Sequence, residues 1–336
     1  MISRRRALRA LAFAPAVFAL RGRAAPWVSP LLADHPLAGA IWDARERRPA
    51  TRATLETACA QADFVLIGET HDNPDHHRLQ LELLQAIVRS GRRPAVALEQ
   101  LDREHQSALD RARAERPGEA GYVADAAQFD RRGWHWPFYE PIVALALRYD
   151  LPLVAANLSR RDAATVIERG YDALGADAPG RLGLLQPLDA AHAAAIEAAV
   201  REGHCGKLPE RVVPRMAAAQ RARDAVIADA LIAHESASAV LIAGNGHVRR
   251  DLGVPRDLAA RAPQRSVLAV GIVEVIEGVT GAEDYVAPEA GDAPRFDFAV
   301  FTPRAVRPDP CAAFAPRSDA AAQQDTRLPP PGGPGL

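Results

Sequence analysis

The chain has 336 residues, of which 48% are hydrophobic and 25% are charged, and its formal net charge is -1. This composition is typical of a globular protein with a large apolar core, arranged as one large domain or two modest ones. Because the net charge is close to zero, no overall electrostatic attraction draws the chain to nucleic acid or to an anionic membrane surface. We therefore expect a small-molecule ligand and no nucleic-acid partner.

Residues 1–25 have the pattern of a secretory signal peptide. A basic segment, "MISRRRALRA", precedes the apolar run "LAFAPAVFAL" and the small residues of "RGRAA". The run is too short to span a bilayer, and Ser3 followed by Arg4 and Arg5 resembles a twin-arginine signal. We expect a periplasmic protein, exported by the twin-arginine or the general route, that meets the membrane only through export machinery or a receptor.

Short β-rich runs recur along the chain and are separated by stretches of helical composition. The first four are apolar nearly throughout, which indicates parallel strands covered on both faces. Alternating strands and helices of this kind predict an α/β fold, a mostly parallel β-sheet flanked by helices. The predicted strands are residues 64–68, 95–99, 151–157, 239–244, 266–275 and 296–302.

The first strand is followed by an amphipathic helical segment, "PDHHRLQLELLQAIVRSG". Asn73 is a favourable N-cap, and Pro74 suits the first helical position. His76 and His77 then fall in the first helical turn, where we expect them to be solvated rather than to bind a ligand. Strand, polar turn and helix together predict a βαβ unit.

Three further stretches define the predicted domain organisation. Residues 159–234 are alanine-rich with no convincing strand, which predicts a smaller helical insertion within an α/β domain of residues 26–311. Residues 312–336 are polar and rich in proline and glycine, which predicts disorder. The chain thus combines a signal peptide, one α/β domain with a helical insertion, and a tail.

The cysteine count is odd, with Cys59, Cys205 and Cys311 and no CxxC motif. The pattern therefore does not indicate a thiolate metal site. In an oxidising compartment Cys205 and Cys311 could pair while Cys59 stays buried. The sequence does not decide between this disulfide and free thiols.

Polar side chains follow four of the predicted strands at the point where each strand ends. Ligand sites in parallel sheets lie beyond the carboxyl ends of the strands, so we expect these side chains to share one edge. Two of the ends also share the pattern Gly-x-x-His, as "GETH" and "GNGH". The residues are Glu69 and His71 after the first strand, Glu99 after the second, Asn157 and Arg160 after the third, and His247 after the fourth.

Two chemical interpretations of this edge stay open. Glu69, His71, Glu99 and His247 supply oxygen and nitrogen donors suited to a divalent metal such as Zn²⁺ or Mn²⁺. The same four side chains would also serve as general acids and bases.

An aromatic cluster lies in "RGWHWPFYEP", before a predicted helix. Its density suits a flat apolar ligand, with Tyr139 or His135 as the axial donor to haem iron and Trp136 beside it. The alternative is that Trp134 and Trp136 fill the core at a helix start.

A later helical segment, "RVVPRMAAAQRARDAVIADALIAH", carries Gln220 and Asp224 on an otherwise apolar stripe. Either these two side chains face the ligand cleft or a neighbouring helix, or they pair with each other across one helical turn. We favour the cleft, and we count both among the candidate cofactor-binding residues.

With these motifs the chain resembles the ChaN-like haem-binding uptake family, in the superfamily of Tiki, TraB and erythromycin-esterase-like proteins. The matching segments include "LIGETHDNPDHH", "WHWPFYEPIVALA", "GHCGKLP" and "AGNGHVRRDLGVP", in order over residues 60–260. The resemblance implies an exported bacterial protein associated with haem or iron acquisition. In the wider superfamily, paired Gly-x-x-His and glutamate positions are linked to metal-dependent hydrolysis.

Two functional hypotheses follow. The first is a periplasmic haem-binding or iron-binding protein, with haem as the cofactor and a homodimer that shares it as one arrangement. The second is a metal-dependent hydrolase, in which the two glutamates and two histidines of the strand ends hold a divalent metal. In that case Arg160 or Arg249 would stabilise a developing oxyanion.

Overall fold

The computed structural model describes residues 26–233 and 238–314. The predicted signal peptide and almost all of the predicted tail lie outside these residues. The described residues form one eight-stranded sheet. Its strands are β1 (Ile41–Asp43), β2 (Arg48–Ala50), β3 (Phe64–Glu69), β4 (Ala95–Asp102), β5 (Leu153–Asn157), β6 (Ala239–Gly244), β7 (Val267–Glu274) and β8 (Phe298–Thr302).

The strand order across the sheet is β2-β1-β8-β7-β3-β6-β4-β5. The strands from β8 to β5 in that order are parallel, whereas β1 pairs antiparallel with both β8 and β2. Strands β3 and β6 are adjacent and buried along their whole length, and Glu69 pairs with Gly244 in their register. The predicted α/β class and all six predicted strands are confirmed.

Helices cover both faces of the sheet, and α6 to α9 lie between β5 and β6 in the chain, with an apolar cluster of their own. None of the helices in the described ranges is long and apolar enough to cross a membrane. They are α1 (Arg52–Gln61), α2 (Pro74–Arg89), α3 (Gln106–Glu115), α4 (Ala120–Ala126), α5 (Trp136–Arg148), α6 (Arg160–Arg169), α7 (Ala178–Arg181), α8 (Ala190–Gly203), α9 (Val213–Ile232), α10 (Asn245–Val248), α11 (Val254–Arg261) and α12 (Ala282–Val286).

Helix α2 begins as predicted, because the Asn73 side chain accepts a hydrogen bond from the backbone N–H of Asp75 at 2.9 Å. The prediction that His76 and His77 are solvated is wrong, since both are buried. His76 Nδ1 accepts from the Thr70 N–H, and its Nε2 lies 2.7 Å from Thr302 Oγ1. Burial lowers the pKa of His76 well below its usual value. The first turn of α2 therefore packs under the strand ends.

The two ends of the described chain fasten the loop between β3 and α2. At the N-terminal end, the buried Asp75 carboxylate accepts from the backbone N–H groups of Val28 and Ser29. At the C-terminal end, Arg307 donates to Asp72 at 2.7 Å and to Glu274 at 2.6 Å. We call residues 303–311 the C-terminal strap.

A disulfide joins Cys205, in the loop between α8 and α9, to Cys311 at the end of the C-terminal strap, with a Cα–Cα distance of 5.7 Å. Cys59 is a free thiol, and burial raises its pKa to about 12. The disulfide therefore fixes the strap to the helices that follow β5.

Candidate functional site

Two glutamate–histidine clusters lie side by side at the carboxyl ends of β3, β4 and β6. The first is centred on Glu69 at the end of β3, and the second on Glu99 near the end of β4. Both carboxylates are almost completely buried. A buried carboxylate needs hydrogen-bond donors or cations around it, and each cluster supplies them differently.

Glu69 is surrounded by four donor groups, of which Gln100 is the most distant, with its Nε2 3.4 Å from Glu69 Oε1. The same carboxylate oxygen accepts from the Tyr139 hydroxyl at 2.6 Å and lies 2.8 Å from His71 Nδ1, while Oε2 lies 3.3 Å from His77 Nδ1. Burial alone would raise the pKa of Glu69, but the His77 and His71 imidazoles outweigh it and hold that pKa well below its usual value. Glu69 is therefore an anionic carboxylate.

Tyr139 and its aromatic neighbours serve mainly to support this carboxylate. Tyr139 is fully buried, and burial together with the Glu69 charge raises the pKa of its phenol well above its usual value. Trp136 is buried against Phe129, with ring centroids 5.0 Å apart. His135 is exposed, with its ring edge on Phe138. In this conformation neither Tyr139 nor Trp136 offers a face or an oxygen to a haem.

His71 is the member of the cluster that opens to the outside. Its Nδ1 faces Glu69, its ring meets Trp134 edge-on at 4.8 Å, and 20% of its side chain is exposed. A Cβ on Gly244 would lie 2.9 Å from His71 Nε2, so only glycine leaves room for the ring there. Among the described residues Nε2 has no hydrogen-bond partner, and it is the atom that a ligand can reach.

The second cluster is a buried chain of charges. Glu99 Oε2 accepts from the Gly244 N–H at 2.7 Å, and Glu99 Oε1 lies 3.4 Å from His247 Nε2. His247 Nδ1 lies 2.5 Å from Asp224 Oδ1 and 3.3 Å from Gln220 Nε2. Of the two arrangements considered for Gln220 and Asp224, the structure shows contact with the strand-end residues and not pairing with each other.

The charges of this cluster determine which of its side chains carry a proton. Burial acts to lower the pKa of His247, but the Glu99 and Asp224 carboxylates outweigh it and raise that pKa to about 10. Burial acts to raise the pKa of Glu99, and the His247 charge overcomes it and lowers that pKa to about 2. His247 and Glu99 therefore form a buried ion pair at neutral pH.

The four predicted metal ligands do not converge on one ion. Glu69 is paired with His71 and Glu99 with His247, and the two pairs flank Gly244. Within the described ranges, one group of three side chains places one possible metal-donor atom of each within 4.8 Å of the other two. This group contains none of the four predicted ligands.

The remaining predicted site residues lie outside both clusters. Asn157 donates to Asp102 at 3.0 Å. Arg160 is exposed and lies 3.8 Å from Asp130, whereas Arg249 is bound to Asp251 and Glu289. Among the described residues neither arginine forms a hydrogen bond or an ion pair with a member of the two clusters.

His77 is the site residue that the sequence interpretation missed. Its Nε2 donates to the His71 carbonyl oxygen at 3.0 Å, and its ring stacks on Phe138 at 4.5 Å. The spacing along α2 could have identified it. His77 lies seven residues, about two turns, before the buried Leu84, so both side chains lie on one face of the helix.

A family model described as "Haem-binding uptake, Tiki superfamily, ChaN" matches residues 55–258, which include both clusters. The chain belongs to this family. The resemblance noted in the sequence is thus confirmed, over a segment that runs from α1 to α11.

One solved structure agrees with the ChaN family assignment at the level of the fold. A structure entitled "Cofacial heme binding to ChaN of Campylobacter jejuni" is 20% identical, covers 77% of this chain and 95% of its own, and superposes with a TM-score of 0.60. A mutant erythromycin esterase in its open conformation is 12% identical, covers 82% of this chain and 99% of its own, and has a TM-score of 0.43. No curated protein sequence matches this chain significantly.

Proposed function

We propose that this protein binds haem at the carboxyl ends of β3 and β6 and takes part in haem or iron uptake in the periplasm. Membership of the ChaN family is the observation that carries the proposal, and the solved structure of ChaN from Campylobacter jejuni is described as showing cofacial haem binding. The signal-like N-terminus and the Cys205–Cys311 disulfide support an oxidising compartment outside the cytoplasm. A homodimer that shares the haem remains part of the proposal.

His71 is the residue that fits haem iron best. Bound haem would supply an iron centre, for which an imidazole nitrogen is a common protein ligand. Burial acts to lower the pKa of His71, but the Glu69 and Glu99 carboxylates outweigh it and raise that pKa, so Nε2 would release a proton on binding the iron. The Glu69 carboxylate at Nδ1 orients the ring and makes Nε2 more basic, as second partners of ligating histidines do. Tyr139 does not fit, because its buried hydroxyl already donates to Glu69.

Haem titration of single variants tests this assignment. We expect a saturable change of the Soret band with the wild-type protein and at least a roughly tenfold weaker affinity in His71→Ala. Tyr139→Phe and His135→Ala should keep most of the affinity. If His135→Ala abolished the Soret change while His71→Ala left it intact, the ligand assignment would be wrong. If the wild-type protein gave no saturable change, the haem proposal itself would fail.

One observation favours a second candidate function, hydrolysis. A carboxylate behind an imidazole whose other nitrogen is open is the arrangement of a general base, and Glu69 and His71 provide it. We expect any hydrolysis of p-nitrophenyl esters to fall about 100-fold in His71→Ala. Arg160→Ala, at an exposed position outside both clusters, is the control. Rates at background level for the wild-type protein, with and without added Zn²⁺ or Mn²⁺, would exclude this candidate.

A further inference from the structure

We propose that Asp102, Glu104 and His105 bind a first-row divalent cation such as Zn²⁺ or Mn²⁺ at the end of β4. One donor atom from each side chain lies within 4.8 Å of the other two. Asp102 ends the strand, and the residues Arg103–His105 form a single 3-10 turn directly after it. The turn therefore brings three donors together without help from distant parts of the chain.

The spacing needs a modest change to hold an ion. Atoms that bind one tetrahedral ion at 2.0–2.2 Å lie about 3.3–3.6 Å apart. The donors are within 4.8 Å of one another, so no pair of donors has to close by more than about 1.5 Å. Glu104 is exposed, which leaves its side chain free to make that shift.

Asn157 gives an independent indication of a ligand. Its side chain is 5% exposed and directed at Asp102, to which Nδ2 donates, while its Oδ1 has no hydrogen-bond partner within the described ranges. A 180° rotation of the Asn157 amide group would exchange Oδ1 and Nδ2. The unpartnered Oδ1 would then lie beside Asp102. A cation bound there would satisfy that oxygen, which in a protein interior is costly to leave unpaired.

The arrangement of charges around the group is compatible with a cation. Arg161 comes within 3.7 Å of Glu104, and Arg103 lies 3.7 Å from Asp162. Among the described residues no lysine or arginine forms an ion pair with Asp102.

The donor set selects the kind of ion. Two carboxylates, one imidazole and one amide oxygen suit Zn²⁺ or Mn²⁺. Ca²⁺ prefers six to eight oxygen ligands and Mg²⁺ retains most of its water, so both should bind weakly. The bound ion would link the end of β4 to Asn157 at the end of β5, where the helices that follow β5 begin.

Calorimetric titration of the untagged, haem-free protein with ZnCl₂ tests the site. We expect one equivalent of Zn²⁺ whose affinity falls at least about tenfold in Glu104→Gln and in His105→Gln. Glu277→Gln, at an exposed position without a hydrogen bond or ion pair among the described residues, is the matched control and should bind like the wild-type protein. CaCl₂ should give no comparable heat.

Two variants distinguish this metal site from the proposed haem site at His71. His71→Ala should keep the Zn²⁺ affinity, and Glu104→Gln should keep haem binding, because the two groups share no residue. The proposal is overturned if the wild-type protein takes up no Zn²⁺. It is equally overturned if His71→Ala removes the binding while Glu104→Gln and His105→Gln leave it unchanged.

Discussion

Replacing Cys311 with serine is expected to lower the free energy of unfolding by about 4–5 kcal/mol, because cross-linking a loop of this length removes that much chain entropy from the unfolded state. The loop spans 106 residues between Cys205 and Cys311. Urea unfolding followed by circular dichroism, with and without reductant, measures the difference.

The control for this experiment is the wild-type protein itself. Under reducing conditions it should unfold at the same urea concentration as Cys311→Ser, and Cys311→Ser should be insensitive to reductant. A wild-type midpoint that did not move on reduction would show that the disulfide does not stabilise the fold.

The buried ion pair of Glu99 and His247 predicts how stability depends on pH. The pKa of His247 is raised from 6.5 to about 10, so its contribution is complete below pH 6.5 and is lost as the pH rises through 10. The pKa of Glu99 is lowered from 4.5 to about 2, so its contribution is present above pH 4.5 and is lost as the pH falls through 2. Stability from this pair is therefore greatest between these two unfolded-state values.

Unfolding measured from pH 6 to pH 10 should show the alkaline limb. The wild-type protein is expected to lose on the order of 4 kcal/mol over this range through His247. His247→Gln, which lacks this titrating group, should be less stable at pH 6 and should lose much less stability between pH 6 and pH 10. Parallel curves for the two proteins would contradict the role assigned to His247.

The six predicted strands could be found because a strand that is buried on both faces is an uninterrupted apolar run in the sequence. A run such as "FVLIG" has no solvated side, so its composition alone reports its place in the sheet. The three-residue strands β1 and β2 were not predicted, since segments that short carry no periodicity. Within the described sheet, strand β2 pairs only with β1, and β1 joins the sheet through β8, more than 250 residues later in the chain.

The placement of the candidate residues at one edge of the sheet was predictable, whereas the side chains that contact them were not. Strand ends placed Glu69, His71, Glu99 and His247 on one edge, because that follows from topology. The contact between Glu69 and Tyr139 spans 70 residues, and no local pattern records it. The same limit explains His76, whose burial depends on Thr302 of β8 and which by its neighbours alone resembles a solvated helix start.

The fastening of the β3–α2 loop by both ends of the described chain determines when the site can be completed. In the loop that carries His71, Asn73 accepts a hydrogen bond from Ser29, and Asp72 accepts one from Arg307. During synthesis the N-terminal contact can form early, but Arg307 and Cys311 are added only after β8, the last strand of the described sheet. The contacts that hold the loop of His71 can therefore be completed only after every strand of that sheet has been synthesised.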